Sequence, residues 1–132
     1  EYCIRNGLTK EQACGIVAQA EVESGFSIKA MGDNGHAFGL FQWHRDRINL
    51  IKEGCGVDIT TFPPIEEQMK AVWWELNNSE HHALNMIKKA KTAYEAGEIA
   101  CKYYERPAAS GQQIIRANKA QKWLDYFKGS FS

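Results

Sequence analysis

Thr9 and Gln12 stand three residues apart, directly ahead of a run in which Ala13, Ile16, Val17 and Ala20 recur at spacings of three and four. A hydroxyl followed three residues later by an amide is the reciprocal pattern that caps a helix start. The spacing that follows puts the four apolar side chains on one helical face. This helix is expected to run to about Glu23, with Gly25 ending it. The same grammar continues along the chain. Ile48, Leu50 and Ile51 follow Trp43 in a helix that Gly54 and Gly56 should break. Pro63 and Pro64 open another through Met69, Val72, Trp73 and Leu76, since proline suits a first turn. Ser79 is placed to cap a shorter helix through Leu84 and Ile87. Thr92 and Glu95 form a second capping box, whose helix should stop before Pro107. A last amphipathic helix carries Ile114, Ile115, Trp123, Leu124 and Phe127. No run sustains the period-two alternation of a half-buried strand. The fold class expected is mostly α, about six helices on short connections. One stretch differs: near residues 25–40, Gly25, Gly32, Gly35 and Gly39 accompany Asp33, Asn34 and His36, the chemistry of a loop or a short irregular hairpin.

A chain of 132 residues is long enough for one hydrophobic core and too short for two, so a single domain over 1–132 is expected. It opens on Glu1 rather than Met, which suggests a processed product or a piece excised from a larger protein; no signal peptide is visible. Lys plus Arg and Asp plus Glu are 16 each. That balance speaks against a nucleic-acid surface and against a polybasic membrane anchor, and no apolar run approaches the length of a membrane span. Neither nucleic acid nor membrane insertion is expected. Cys3, Cys14, Cys55 and Cys101 include no Cys-x-x-Cys pair. Buried thiols are the favoured reading, with one or two disulfides as the alternative. His81 and His82 lack a carboxylate or thiolate at ligand spacing, so no metal and no cofactor is expected.

Glu23 is the sharpest chemical candidate. It lies at the edge of the apolar stripe, with Ser24 inside it, at the end of the first long helix. Partial burial and the negative end of the helix dipole both favour the protonated acid, the form that donates a proton to a glycosidic oxygen. The plain alternative is a surface glutamate ending a helix. Beyond it, Phe41 and Trp43 as exposed-type aromatics, with the amide of Gln42 between them, suit a sugar cleft, because a pyranose offers an apolar face for stacking and hydroxyls for hydrogen bonds.

The order of these segments resembles the lysozyme-like superfamily and, more closely, the phage tail lysozyme family. The matching parts are Leu8-Thr9 to Gly15-Ile16-Val17, Glu23-Ser24-Gly25-Phe26, Gly32-Asp33-Asn34-Gly35, Ala37-Phe38-Gly39-Leu40, Gln42-Trp43-His44, Arg47, Trp74-Glu75-Leu76-Asn77, Tyr104-Glu105-Arg106-Pro107 and Arg116-Ala117. They cover about residues 8 to 120. The resemblance implies a lysozyme-like helical domain with Glu23 as its catalytic acid.

Asp33 is then the second carboxylate to weigh. Two carboxylates about 5 Å apart suit retention of configuration, and ~6.5–9.5 Å suits inversion; alternatively Asp33 only builds an Asp-Asn-Gly turn. Gln42 would position a sugar or water, or else cap a helix. His36 lines the cleft or is a solvated loop histidine. Tyr104 can reach a cleft wall, whereas Glu105 and Arg106 read as an ion pair or helix-end anchor. Of Trp73 and Trp74, one should be core and the other partly exposed. The activity implied is a muramidase cleaving the β-1,4 bond between N-acetylmuramic acid and N-acetylglucosamine. The alternatives are a lytic transglycosylase, in which the sugar's own 6-hydroxyl replaces water, and a non-catalytic glycan-binding tail domain. The transglycosylase reading is weakened because the nearest string to its Ala-Tyr-Asn-Ala-Gly segment, Ala93-Tyr94-Glu95-Ala96-Gly97, has Glu for Asn. The implied partners are peptidoglycan glycan strands and other phage tail proteins; the implied location is a virion tail, or outside the cell or in the periplasm, acting on the wall.

Overall fold

The computed structural model describes the backbone of residues 1–131 and the side chains of residues 1–129. In chain order it contains α1 (Tyr2–Arg5), α2 (Lys10–Ser24), the short strands β1 (Met31–Gly32) and β2 (Ala37–Phe38), α3 (Arg45–Cys55), α4 (Ile65–Asn77), α5 (His81–Ile87), α6 (Ala93–Ala100) and α7 (Gln112–Phe131). The protein is 67% helical, so the mostly-α expectation holds, and the glycine-rich stretch is a small hairpin. Its strands pair antiparallel, Met31 with Phe38 and Gly32 with Ala37.

The chain forms two compact units, residues 1–19 with 82–132, and residues 20–81. In the first, α2 starts as the capping pattern requires. The Thr9 hydroxyl accepts from the Gln12 N–H, and the Gln12 side chain accepts from the Thr9 N–H, both at 3.1 Å. Gln12 does a second job: its Nε2 donates to the carbonyls of Lys88 and Ala90, each at 3.1 Å. Cys14 and Ala18 of α2, Ala93 of α6, and Ala120 and Leu124 of α7 share one core, edged by Trp123 and Phe127. Small residues let these helices approach closely. A Cβ on Gly97 would come within 2.6 Å of the Arg116 carbonyl oxygen. Buried Arg116 donates to Gln19 Oε1 at 2.9 Å, and Gln19 in turn donates to the carbonyls of Gly15 and Gly97. The second capping box is seen at Thr92, whose hydroxyl accepts from the Glu95 N–H at 3.1 Å. After α6 the chain widens into a π-helical turn, Cys101–Glu105, and leaves it through Arg106 in the left-handed region, before Pro107 as expected.

In the second unit, α3 and α4 bury Ile48, Ile51, Ala71, Val72 and Leu76. Gly54 does not break α3 but lies inside it, at a point where the Trp74 ring occupies the space a Cβ would need. The break comes at Gly56, φ +77°, whose N–H returns to the Lys52 carbonyl. Glu75 is 1% exposed. It accepts from Arg47 Nε at 2.7 Å, Arg47 Nη2 at 2.9 Å and Trp43 Nε1 at 2.9 Å.

Other local expectations are corrected. Ser79 does not cap α5, which begins two residues later at His81. Trp73 and Trp74 are both partly exposed, since the inward face of α4 is taken by Gln68, Val72, Glu75 and Leu76. Ile114 and Ile115 of α7 are exposed. All four cysteines are thiols. Burial pushes the thiols of Cys3 and Cys14 up to about 11, so both stay neutral and unreactive near pH 7.

Candidate active site

Helix α2 ends abruptly. The Gly25 N–H closes the last turn on the Glu21 carbonyl at 2.8 Å, and Gly25 and Phe26 both adopt positive φ, +59° and +66°. The chain therefore turns sharply just past Glu23 and Ser24. Glu23 is half-buried, with no basic residue in the last turn of its helix. The Ser24 hydroxyl lies 2.7 Å from the Leu40 carbonyl and 3.0 Å from that of Ala20. This ties the Gly39–Gln42 turn to the end of the helix that carries Glu23.

Two glutamines hold that turn. Gln68 of α4 is fully buried; its Oε1 accepts from the Leu40 N–H at 2.8 Å, and its Nε2 donates to the carbonyls of Ile28 and Pro63, both at 2.9 Å. Gln42, at φ +52°, donates through Nε2 to the carbonyls of Gly39 at 2.8 Å and Ala30 at 3.2 Å. Its amide thus fastens the base of the hairpin and is not a helix cap.

A groove of about 430 Å³ opens on the hairpin side of this unit, lined by Asp33, His36, His44, Arg45, Asn49 and Thr60 among others. Its volume falls in the roughly 300–1,000 Å³ range of small-ligand clefts. Asp33 and His36 meet there; Glu23 and Gln42 do not line it. Asp33 Oδ2 and His44 Nε2 are 2.8 Å apart, with both side chains largely exposed. Asp33 and Asn34 hold the hairpin tip at φ +50° and +55°. Among the described residues, no group of His, Cys, Asp and Glu side chains is arranged to hold a metal ion, and no helix is long and apolar enough to cross a membrane.

The aromatic expectations need correction. Phe41 and Trp43 are buried at 2% and 1% exposure. Their rings pack against each other, centroids 5.4 Å apart, and Trp43 is drawn inward by its bond to Glu75. Tyr104 is fully buried as well. None of these rings presents a face to solvent, whereas Phe26 is 42% exposed. Sequence reasoning gave no role to Gln68, Glu75 or His44, the last two appearing only within segments that match the family. The usable signal for the first two was their spacing: Gln68 and Glu75 fall on the stripe of α4 shared by Val72 and Leu76, and a polar group on a buried face must find partners.

The profile of the phage tail lysozyme family matches residues 1–127 of the 132, a span that takes in Glu23, the hairpin and its groove, and most of α7. The chain belongs to the phage tail lysozyme family.

Proposed function

We propose that this protein is a muramidase that hydrolyses the β-1,4 bond between N-acetylmuramic acid and N-acetylglucosamine, with Glu23 as general acid. Membership of the phage tail lysozyme family supports a lysozyme-like role on peptidoglycan. The observation that carries the finer reading is the half-buried Glu23 carboxyl at the end of α2, beside a turn bonded to the same helix end through Ser24. A carboxyl on a helix end that is fixed in this way starts from a defined backbone position, which suits a proton donor to a glycosidic oxygen. Glu23 gives its proton to the leaving oxygen as the bond from that oxygen to the sugar C1 breaks. Water forms the new bond to C1, and its proton passes to the Asp33 carboxylate, so one water is consumed per cleavage. Phe26 offers the ring face for a sugar that Phe41 and Tyr104 lack. Gln42 acts by holding the turn, and His36 lines the groove for glycan hydroxyls. The domain would work on the bacterial wall from a virion tail, in company with other tail proteins.

The test is mass spectrometry of digested peptidoglycan. Reducing-end fragments, one water heavier than anhydro fragments, support the muramidase. Anhydro products would make it a lytic transglycosylase, and no products a glycan binder. Glu23→Gln should slow release by at least about 100-fold with the helical circular dichroism unchanged; release at the parent rate would remove Glu23 from the mechanism.

A further inference from the structure

A departure from ordinary local preference leads to one hydrogen bond in the groove. His44 occupies the N-cap position of α3, yet its side chain makes no capping bond. That position favours Ser, Thr, Asp or Asn, whose oxygen would satisfy an orphan N–H of the first turn. The imidazole is turned instead to Asp33, 2.8 Å away. Asp33 in turn sits at the hairpin tip at φ +50°, a region that Asp and Asn enter more readily than other L-residues. The side chains of His44 and Asp33 are 59% and 63% exposed, and a polar contact that open to water contributes little to stability. Helix capping is forgone for a contact that does not hold the fold together. Such a departure at a groove is the pattern of a functional constraint.

We propose that His44 is a positioning residue for the glycosidic reaction: it anchors Oδ2 of Asp33 and so fixes the orientation in which Oδ1 meets the water that attacks the sugar. This rests on the muramidase reading given above. Oδ1 of Asp33 makes no hydrogen bond to the described residues, so it is available to accept the water's proton. The water oxygen bonds to C1, and the leaving oxygen takes its proton from Glu23. An unanchored carboxylate on a hairpin tip would rotate among orientations, and misplacement of a reacting group by about 1 Å can cost ~100-fold in rate. Besides His44 and Asp33, the titratable and charged side chains lining the groove are His36 on the hairpin side, and Arg45 and Asp46 in the first turn of α3.

The experiment compares wild type, His44→Ser, His44→Gln, Asp33→Asn and the double variant Asp33→Asn/His44→Ser, reading kcat and KM for peptidoglycan fragment release together with Tm. His44→Ser should lower kcat by about 10- to 100-fold with KM within about twofold. Because serine restores the missing cap, its Tm should hold or rise by up to about 4 °C. His44→Gln keeps an N–H donor and should recover part of the rate. The double variant should be no slower than Asp33→Asn alone, since a residue that acts through another adds nothing once its partner is gone. Wild-type kcat in His44→Ser, multiplying losses in the double variant, or a Tm that falls with the activity would each overturn the proposal. A wild type that releases no fragments would overturn the muramidase reading and this proposal together. An active, Glu23-dependent wild type beside a fully active His44→Ser would overturn this proposal alone.

Discussion

At the scale of single residues, buried polar groups are better determined than exposed ones. Glu75 has both carboxylate oxygens engaged, by Arg47 and Trp43, at 1% exposure. Deleting it leaves a guanidinium and an indole N–H without their acceptor inside the second unit. Glu75→Ala should therefore lose about 3–5 kcal/mol of stability, read as a lower urea midpoint at unchanged slope; a loss under about 1 kcal/mol would mean that water replaces the carboxylate there. The exposed Asp33–His44 pair is the opposite case, where removal touches stability little and orientation much.

At the scale of elements, helix starts and helix contacts obey different rules. The starts of α2 and α6 are set by Thr9 with Gln12 and by Thr92 with Glu95, bonds made within three residues. The contact between α6 and α7 is set by the absence of a side chain at Gly97, where an added Cβ would meet the Arg116 carbonyl oxygen at 2.6 Å and the Ala117 Cα at 2.9 Å. Helix propensity alone favours alanine over glycine by about 1 kcal/mol. Here close approach should win, because the opposing atoms are backbone and cannot rotate away. Gly97→Ala is expected to destabilise by about 1–3 kcal/mol net, measured by thermal or urea unfolding. A stabilised variant would show that the two helices can slide apart without loss.

At the scale of the whole molecule, the balance of charge bears on how the protein would meet an anionic wall. With 16 basic and 16 acidic residues, there is no net attraction to accelerate encounter. Raising salt from 50 to 200 mM should change the initial rate of wall clearing by less than about twofold, since there is little long-range steering to screen. A steep fall with salt would reveal a basic face concentrated enough to override the neutral total. Tethering on a particle would supply local concentration in place of charge.

The helical grammar was legible residue by residue because caps, breaks and amphipathic spacing act between positions three or four apart: Thr9 predicts α2, Gly25 its end, and the glycines around Asp33 the hairpin. The apolar stripe expected to end beside Glu23 is not seen: Cys14, Gly15, Ala18 and Gln19 are buried along with Ala13, Ile16 and Ala20, while Val17 is only partly buried. Other features were invisible locally. The inward turn of Phe41 and Trp43, the burial of Gln68 and Glu75, and the accommodation of Gly54 beneath Trp74 all depend on partners supplied by other elements. Leu40 meets Gln68 across 28 positions and Trp43 meets Glu75 across 32. An aromatic ring or a carboxylate has no intrinsic preference for core or surface strong enough to be read without knowing what stands opposite it, so packing alone settled which side chains close the interior and which stay at the surface.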